Sequence, residues 1–168
     1  MHDLSAACSR LALIDGLRVE RDVPLSRYTR FALGGPASLL ANASTEASLA
    51  AAIAQVESEQ VPFVVIGGGS NLVVSDDGYR GIVIRYTADG ISSSGTCVTA
   101  EAGAELQSLV DYTINNGLSG IHTMTGIPGW VGGAVYGNAG AYGRSTHQSI
   151  HSVRFFDGSI ARPARSPR

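Results

Sequence analysis

Residues 117–143 read GLSGIHTMTGIPGWVGGAVYGNAGAYG, and this segment says most about the fold. It holds nine glycines and one proline but no Asp, Glu, Lys or Arg. A disordered linker this rich in glycine would be polar, whereas this segment also carries large apolar side chains. These are Ile121, Ile127, Trp130, Val131, Val135, Tyr136 and Tyr142. Glycines mixed with such side chains indicate a folded segment whose backbone approaches another surface closely.

A second glycine segment lies upstream, where the apolar run 63–66 leads into GGGSN at residues 67–71. Three successive glycines allow backbone N–H groups to converge on phosphate oxygens, and Ser70 and Asn71 add side-chain donors. The segment is not a Walker A motif, because no lysine follows it. A tight structural turn is the alternative interpretation. Together the two segments favour a protein that binds a large, flat, partly anionic cofactor.

Composition argues against several other classes of function. The net charge of −2 over 168 residues gives no electrostatic reason to expect nucleic acid or an anionic membrane surface as a partner. No run reaches 18 apolar residues, so no membrane span is predicted. Cys8 and Cys97 form no CxxC pair, and the four histidines lack metal-ligand spacing, so no metal site is predicted. The start of the chain is predicted to be an amphipathic helix rather than a signal peptide, which favours a cytoplasmic location.

Hydrophobic periodicity predicts three helices, at residues 3–17, 44–60 and 105–116, with Ser44 as the N-cap of the second. Strands are predicted at 38–42, 63–66, 81–85, 97–100 and 152–156, the second of them buried. The order strand, helix, strand over residues 38–66 predicts a βαβ unit. Residues 22–36 are predicted to be irregular, residues 89–95 to be a hairpin loop or a boundary between lobes, and Asp157-Gly158 to be a hairpin turn.

Six short motifs occur in a characteristic order along the chain. They are Thr29-Arg30-Phe31, GGPA at 34–37, GGGSNL at 67–72, Tyr79-Arg80-Gly81, GIPG with GGAV at 126–135, and NAGAYG at 138–143. In this order they resemble the UDP-N-acetylenolpyruvoylglucosamine reductase family, within the wider vanillyl-alcohol-oxidase type of FAD-binding proteins. The resemblance covers residues 20–160.

The resemblance implies an α+β fold of the two-lobed PCMH (p-cresol methylhydroxylase) type, with FAD bound between the lobes. It divides the chain into an N-terminal helix at 1–20, a first FAD-binding lobe at 21–86 and a second at 87–158. Residues 159–168 are expected to be an irregular tail, because they hold three arginines and two prolines. The family's substrate domain is expected to be absent from this chain.

The resemblance also implies the residues that hold the ligands. The expected FAD contacts are Gly67, Gly68, Gly69, Ser70, Asn71, Arg80, Ile127, Pro128, Gly129, Gly132, Gly133, Ala141 and Gly143. Tyr142 is expected near the UDP-sugar substrate. In the family, NADPH reduces the flavin, which passes hydride to an enolpyruvyl double bond. The product, UDP-N-acetylmuramate, is a precursor of peptidoglycan, and therefore serves cell-wall biogenesis, cell shape and cell division.

This chain departs from the family pattern in two places. Trp130 stands where a small residue is usual, and its indole could stack on the flavin, point outward or obstruct the site. The chain also ends before the family's Tyr-Arg-x-Ser segment, so no catalytic residue is assigned, and the chain alone is expected to be inactive and poorly soluble. Two alternatives stay open: another FAD-dependent oxidoreductase of this fold, or a non-catalytic or vestigial flavin-binding protein. The oligomeric state is not predicted.

Overall fold

The computed structural model describes residues 4–156 and the backbone of residues 161–165. It divides into two compact units, Met1–Thr87 (unit 1) and Ala88–Arg168 (unit 2), and each is described by itself. Within the described residues, no helix is long and apolar enough to cross a membrane.

Unit 1 is a four-stranded mixed sheet with two helices. Its elements are α1 (Leu4–Leu11), β1 (Leu17–Pro24), a 3₁₀ turn (Leu25–Tyr28), β2 (Pro36–Ala43), α2 (Glu46–Ser58), β3 (Phe63–Ile66) and β4 (Tyr79–Tyr86). The strand order is β1-β2-β4-β3, with β1 antiparallel to β2 and the other three strands parallel. The predicted βαβ unit is confirmed, and β4 lies between its two strands. The central strands β2 and β4 carry the buried apolar run that parallel strands require.

Three predictions for unit 1 are wrong. The first helix was expected over residues 3–17, within an N-terminal helical segment at 1–20, but α1 ends at Leu11 and Leu17 begins β1. The other two errors concern edge strands. Residues 22–36 were expected to be irregular, but residues 22–24 belong to β1. The sequence of β1, LRVERDVP, is mostly polar, which fits a strand in which only Val23 is buried. The strand β3 was expected to be buried, yet Val64 is 39% exposed and Val65 is 49% exposed. An apolar run cannot by itself distinguish a central strand from an edge strand, since that depends on which strands pair.

The N-terminus of α2 begins one residue later than predicted. Thr45, not Ser44, is the N-cap, and it forms a capping box with Ser48. The Ser48 N–H donates to Thr45 Oγ1 at 3.0 Å, and the Thr45 N–H donates to Ser48 Oγ at 3.1 Å. Ser44 instead donates its hydroxyl proton to the Gly16 carbonyl at 2.9 Å.

Replacing Thr45 with alanine is expected to lower the free energy of unfolding by about 1 kcal/mol, because the Ser48 N–H then loses its acceptor. Urea denaturation measures this change. Thr45→Ser should retain most of the stability, since its hydroxyl can make the same bond. Equal midpoints for Thr45→Ala and the unaltered chain would show that the cap contributes nothing.

Unit 2 combines one long helix with short hairpins. Its elements are β5 (Ile91–Ser94), β6 (Cys97–Ala100), α3 (Leu106–Asn115), a 3₁₀ turn (His122–Met124), α4 (Val131–Tyr136), β7 (Gly140–Ala141), β8 (Arg144–Ser145), a 3₁₀ turn (Thr146–Ser149), β9 (Ser152–Phe156) and β10 (Ala161–Arg165). The strands pair antiparallel as β5-β6, β7-β8 and β9-β10. The buried face of α3, with Leu106 and Val110, packs on Met124 and Ala134.

Two predictions for unit 2 are also wrong. Residues 89–95 were expected to form a hairpin loop or a boundary between lobes, but β5 lies there and pairs with β6, from Ile91 opposite Ala100 to Ser94 opposite Cys97. The tail 159–168 was expected to be irregular, but residues 161–165 form β10. Pro163 is compatible with this strand because a proline can occupy the edge of a sheet. The predicted turn at Asp157-Gly158 lies outside the described residues.

Candidate functional site

The turn at residues 67–71 follows β3 at the carboxyl end of the parallel strands, where open α/β sheets commonly bind ligands. It packs directly on the backbone of residues 28–30. The Arg30 N–H donates to the Gly69 carbonyl at 3.1 Å. Gly69 has a φ of +67°, and a Cβ there would lie 1.7 Å from the Tyr28 carbonyl oxygen. Only glycine fits this position, so the turn is fixed by close backbone contact.

The backbone N–H groups of this turn are available to a ligand. Among residues 4–156, no acceptor is bonded to the N–H of Gly67, Gly68, Gly69, Ser70 or Asn71. Gly67 to Ser70 are half-buried and Asn71 is exposed. Successive N–H groups without protein acceptors form the kind of concavity that binds anions. The turn therefore fits a phosphate-bearing group.

In the strand register, Arg80 lies toward the opposite end of β4 from this turn. Arg80 is exposed near the amino end of β4, whereas Ile66, the last residue before the turn, pairs with Arg85. Arg80 and Arg85 are five positions apart on β4, which corresponds to about 16 Å along the strand. Arg85, which the sequence analysis did not select, occupies the place next to the turn. Arg85 ends the strand sequence GIVIR at residues 81–85. The sequence alone could not identify it, because its place beside the turn depends on how β4 pairs with β3.

Arg85 is half-buried and lies over an aromatic ring. Its guanidinium carbon is 4.5 Å from the centre of the Tyr28 ring, a cation–π distance. Its Nη1 donates to Asn42 Oδ1 at 3.3 Å. Burial lowers the pKa of the Arg85 guanidinium from its ordinary value, and the nearby Tyr28 partly offsets this effect. An arginine nevertheless keeps its charge at neutral pH.

In unit 2, residues 126–133 are anchored to α3 and to residues 102–104. The Leu106 N–H donates to the Gly129 carbonyl at 2.9 Å, and the Gly126 N–H donates to Gln107 Oε1 at 2.9 Å. Ile127 packs against the buried cluster around Leu106. Pro128 is exposed. The segment is thus a defined surface loop that leads into α4.

Two adjacent glycines in α4 have different surroundings. A Cβ at Gly132 would lie 2.9 Å from the Cβ of Ala102, so Gly132 allows close packing. A Cβ at Gly133 would meet no atom within 4 Å. The described packing gives no reason for glycine at position 133, since alanine is the better helix former. A bare, open helix face is what a flat ligand would need, so this position fits the predicted flavin.

Residues 138–143 form part of the hairpin β7-β8. Ala141 pairs with Arg144, and Tyr142 and Gly143 make the two-residue turn, with φ of 54° and +75°. Positive φ at both positions is typical of a type I′ turn, and it requires glycine or a strained residue. The Tyr142 side chain is 91% exposed. Its ring and hydroxyl can therefore reach a ligand outside unit 2.

Trp130 is the N-cap residue of α4 and is half-buried. It forms an isolated antiparallel bridge with Glu105. Because Trp130 is half-buried, the structure disfavours an indole that points fully into solvent, which is one of the three orientations considered above.

The described residues contain no cluster of three or more His, Cys, Asp or Glu that could hold a metal ion. His122, beside the second glycine segment, is exposed, and its Nδ1 accepts from the Gly120 N–H at 3.4 Å. That contact gives it a structural role in its loop.

Comparison with known proteins agrees with this geometry. Residues 37–159 match the family described as "FAD binding domain". The chain is 52% identical over 153 residues to a UDP-N-acetylenolpyruvoylglucosamine reductase of Solibacter usitatus, covering 91% of this chain and 49% of that protein. A second such reductase, from Rubrobacter xylanophilus, is 46% identical over 74% of this chain and 43% of its own length. The chain therefore spans about half the length of these curated relatives.

The solved structures give the same result for the fold. The crystal structure of UDP-N-acetylenolpyruvylglucosamine reductase (MurB) from Thermus caldophilus has a TM-score of 0.74 and 34% identity, over 89% of this chain and 53% of that one. Aclacinomycin oxidoreductase has a TM-score of 0.61 at 18% identity, over 88% and 33%, and shows the fold alone. The predicted resemblance, the predicted α+β FAD-binding fold and the prediction of FAD as cofactor are confirmed.

Proposed function

The chain belongs to the FAD-binding domain family, and we infer that it is the flavin-binding part of a UDP-N-acetylenolpyruvoylglucosamine reductase. The observation that carries the proposal is the turn at residues 67–71, whose five successive N–H groups have no acceptor within residues 4–156. An anionic group of two phosphates, as in FAD, matches such a turn.

The residues expected to hold FAD divide into two groups. Gly67, Gly68, Gly69, Ser70 and Asn71 would hold the diphosphate of FAD. The loop and helix positions Ile127, Pro128, Gly129, Gly132 and Gly133, with Ala141 and Gly143, would line the flavin ring. Arg80, at the far end of β4, is not assigned to the diphosphate turn. When bound, FAD supplies the hydride chemistry, and the protein supplies position and electrostatics.

The substrates follow from the family. We propose that NADPH and a UDP-sugar enolpyruvate are the reactants of the complete enzyme, in the cytoplasmic synthesis of peptidoglycan precursors. Tyr142 would contact the UDP-sugar, because its side chain projects almost fully into solvent beside the glycine hairpin. No catalytic acid is assigned within this chain.

Replacing Gly68 with aspartate is expected to weaken FAD binding at least tenfold relative to Gly68→Asn. The two side chains have nearly the same shape, and only aspartate adds a negative charge close to the proposed diphosphate. A like charge within about 5 Å costs on the order of 1–3 kcal/mol. Titration of each purified variant with FAD, followed by flavin fluorescence, measures the difference.

Gly68→Asn is the matched control, because it adds the same bulk without the charge. The variants should have the same melting temperature, which shows that the comparison concerns binding and not folding. If both variants bind FAD equally well, the diphosphate does not lie at this turn and the proposed role of residues 67–71 is wrong.

A further inference from the structure

The strand register of unit 1 places one arginine next to the proposed diphosphate turn. Arg85 pairs with Ile66 on one side and with Asn42 on the other. Paired strands lie about 4.8 Å apart, so the backbone of Arg85 is one strand spacing from the residue that leads into the turn.

Tyr28 connects this arginine to the turn. The Arg85 guanidinium lies over the Tyr28 ring, 4.5 Å from its centre. The carbonyl oxygen of the same tyrosine is the atom that a Cβ at Gly69 would meet at 1.7 Å. One residue thus supports the cation with its ring and the glycine turn with its backbone, which fixes the cation relative to the turn.

Arg85 is half-buried beside the proposed diphosphate turn. Its Nη1 donates to the Asn42 Oδ1, and its guanidinium lies over the Tyr28 ring, so the positive charge is held at a defined place. A charge held there attracts an anion beside it. The uncommitted N–H groups of the turn attract the same kind of ligand, so the two features favour one anion at one place.

We propose that Arg85 is a positioning residue for the diphosphate of FAD: it is held beside the turn by the Tyr28 ring and attracts the diphosphate by its charge, without direct contact. This inference rests on the proposed function. A cation about 10 Å from a doubly charged group, with ordinary salt screening, accounts for about a fivefold gain in affinity. Its role is electrostatic, so its effect must depend on ionic strength.

The test is an FAD titration of the full chain and of Arg85→Met, Arg85→Lys and Arg21→Met. It is carried out at about 0.05 M and about 0.5 M salt, where screening differs strongly. Arg21 is exposed on β1, so Arg21→Met changes the net charge equally but elsewhere. Arg85→Met should bind FAD about fivefold more weakly at low salt, with a smaller difference at high salt. Arg85→Lys should retain most of the affinity, and Arg21→Met should resemble the unaltered chain.

Arg85→Gln serves as a second neutral variant if Arg85→Met melts below the titration temperature. A loss that is equal at both salt concentrations, or equally large in Arg85→Lys, would assign Arg85 a packing role and overturn the inference. An unchanged affinity in the neutral variants would overturn the inference alone. Absence of FAD binding by the unaltered chain would instead overturn the proposed function, and this inference with it.

Discussion

Gly69→Ala is expected to destabilise unit 1 by more than about 4 kcal/mol, a loss large enough to leave much of the protein unfolded. The added Cβ would lie 1.7 Å from the Tyr28 carbonyl oxygen, which is a backbone atom that cannot rotate away. The φ of +67° adds a conformational cost of about 1 kcal/mol for any residue with a Cβ. Thermal or urea denaturation of the purified variant measures the loss.

Gly133→Ala is the matched control, because it makes the same chemical change in a helix with open space around the new methyl group. Its free energy of unfolding should stay equal or rise by up to about 1 kcal/mol, since alanine favours helix more than glycine does. A Gly69→Ala variant that unfolds within about 0.5 kcal/mol of the unaltered chain would contradict the close packing of the turn on residues 28–30.

Gly133→Leu is expected to abolish FAD binding, with affinity reduced at least about a hundredfold, while the protein stays folded. The reason is that the leucine side chain would occupy the open space beside α4 that we assign to the flavin ring. Helix propensity favours leucine over glycine, so stability should not fall. FAD titration and a thermal melt of the same preparation give the two readings.

Gly133→Ala again serves as the control and should bind FAD with a much smaller loss, because a methyl group fills little of that space. Undiminished FAD binding by Gly133→Leu would place the flavin elsewhere. Loss of binding together with a lowered melting temperature would show that position 133 is needed for folding, contrary to the open surroundings of its backbone.

The sequence predicts those elements whose own residues carry the signal. The stripe of Leu49, Ile53 and Val56 predicts α2, and the apolar runs at 38–42 and 81–85 predict the strands β2 and β4; all three elements are confirmed. The order of short glycine motifs predicts the FAD-binding family. In this helix and these two strands, the apolar positions of the sequence pattern are the positions that pack into the core, so the pattern alone predicts the element.

The elements that were missed depend on distant partners. The polar strands β1 and β5 exist because they pair with β2 and β6, which local sequence cannot show. The short helix α4 forms despite two glycines because Val131 and Gly132 donate their N–H groups to the carbonyls of Ala104 and Ala102, at 2.8 Å each. Tertiary contacts here outweigh helix propensity.

The candidate site could likewise be predicted only in part, because its geometry depends on pairing between distant residues. Glycines near a turn can be recognised in the sequence, but which arginine lies beside the turn is set by register. Arg80 was selected because it lies in a recognisable motif, whereas the pairing of Arg85 with Ile66 places Arg85 next to the turn. The stacking of Arg85 on Tyr28 joins residues 57 positions apart, and no local pattern indicates it.

The most direct test of the account is a titration of the purified, unaltered chain with FAD, followed by flavin fluorescence and the visible spectrum. A thermal melt of the same sample establishes that the chain is folded. We expect saturable binding of one FAD per chain, with a raised melting temperature as FAD is added. A folded chain that shows no saturable binding would contradict the claim that its two glycine segments hold this cofactor.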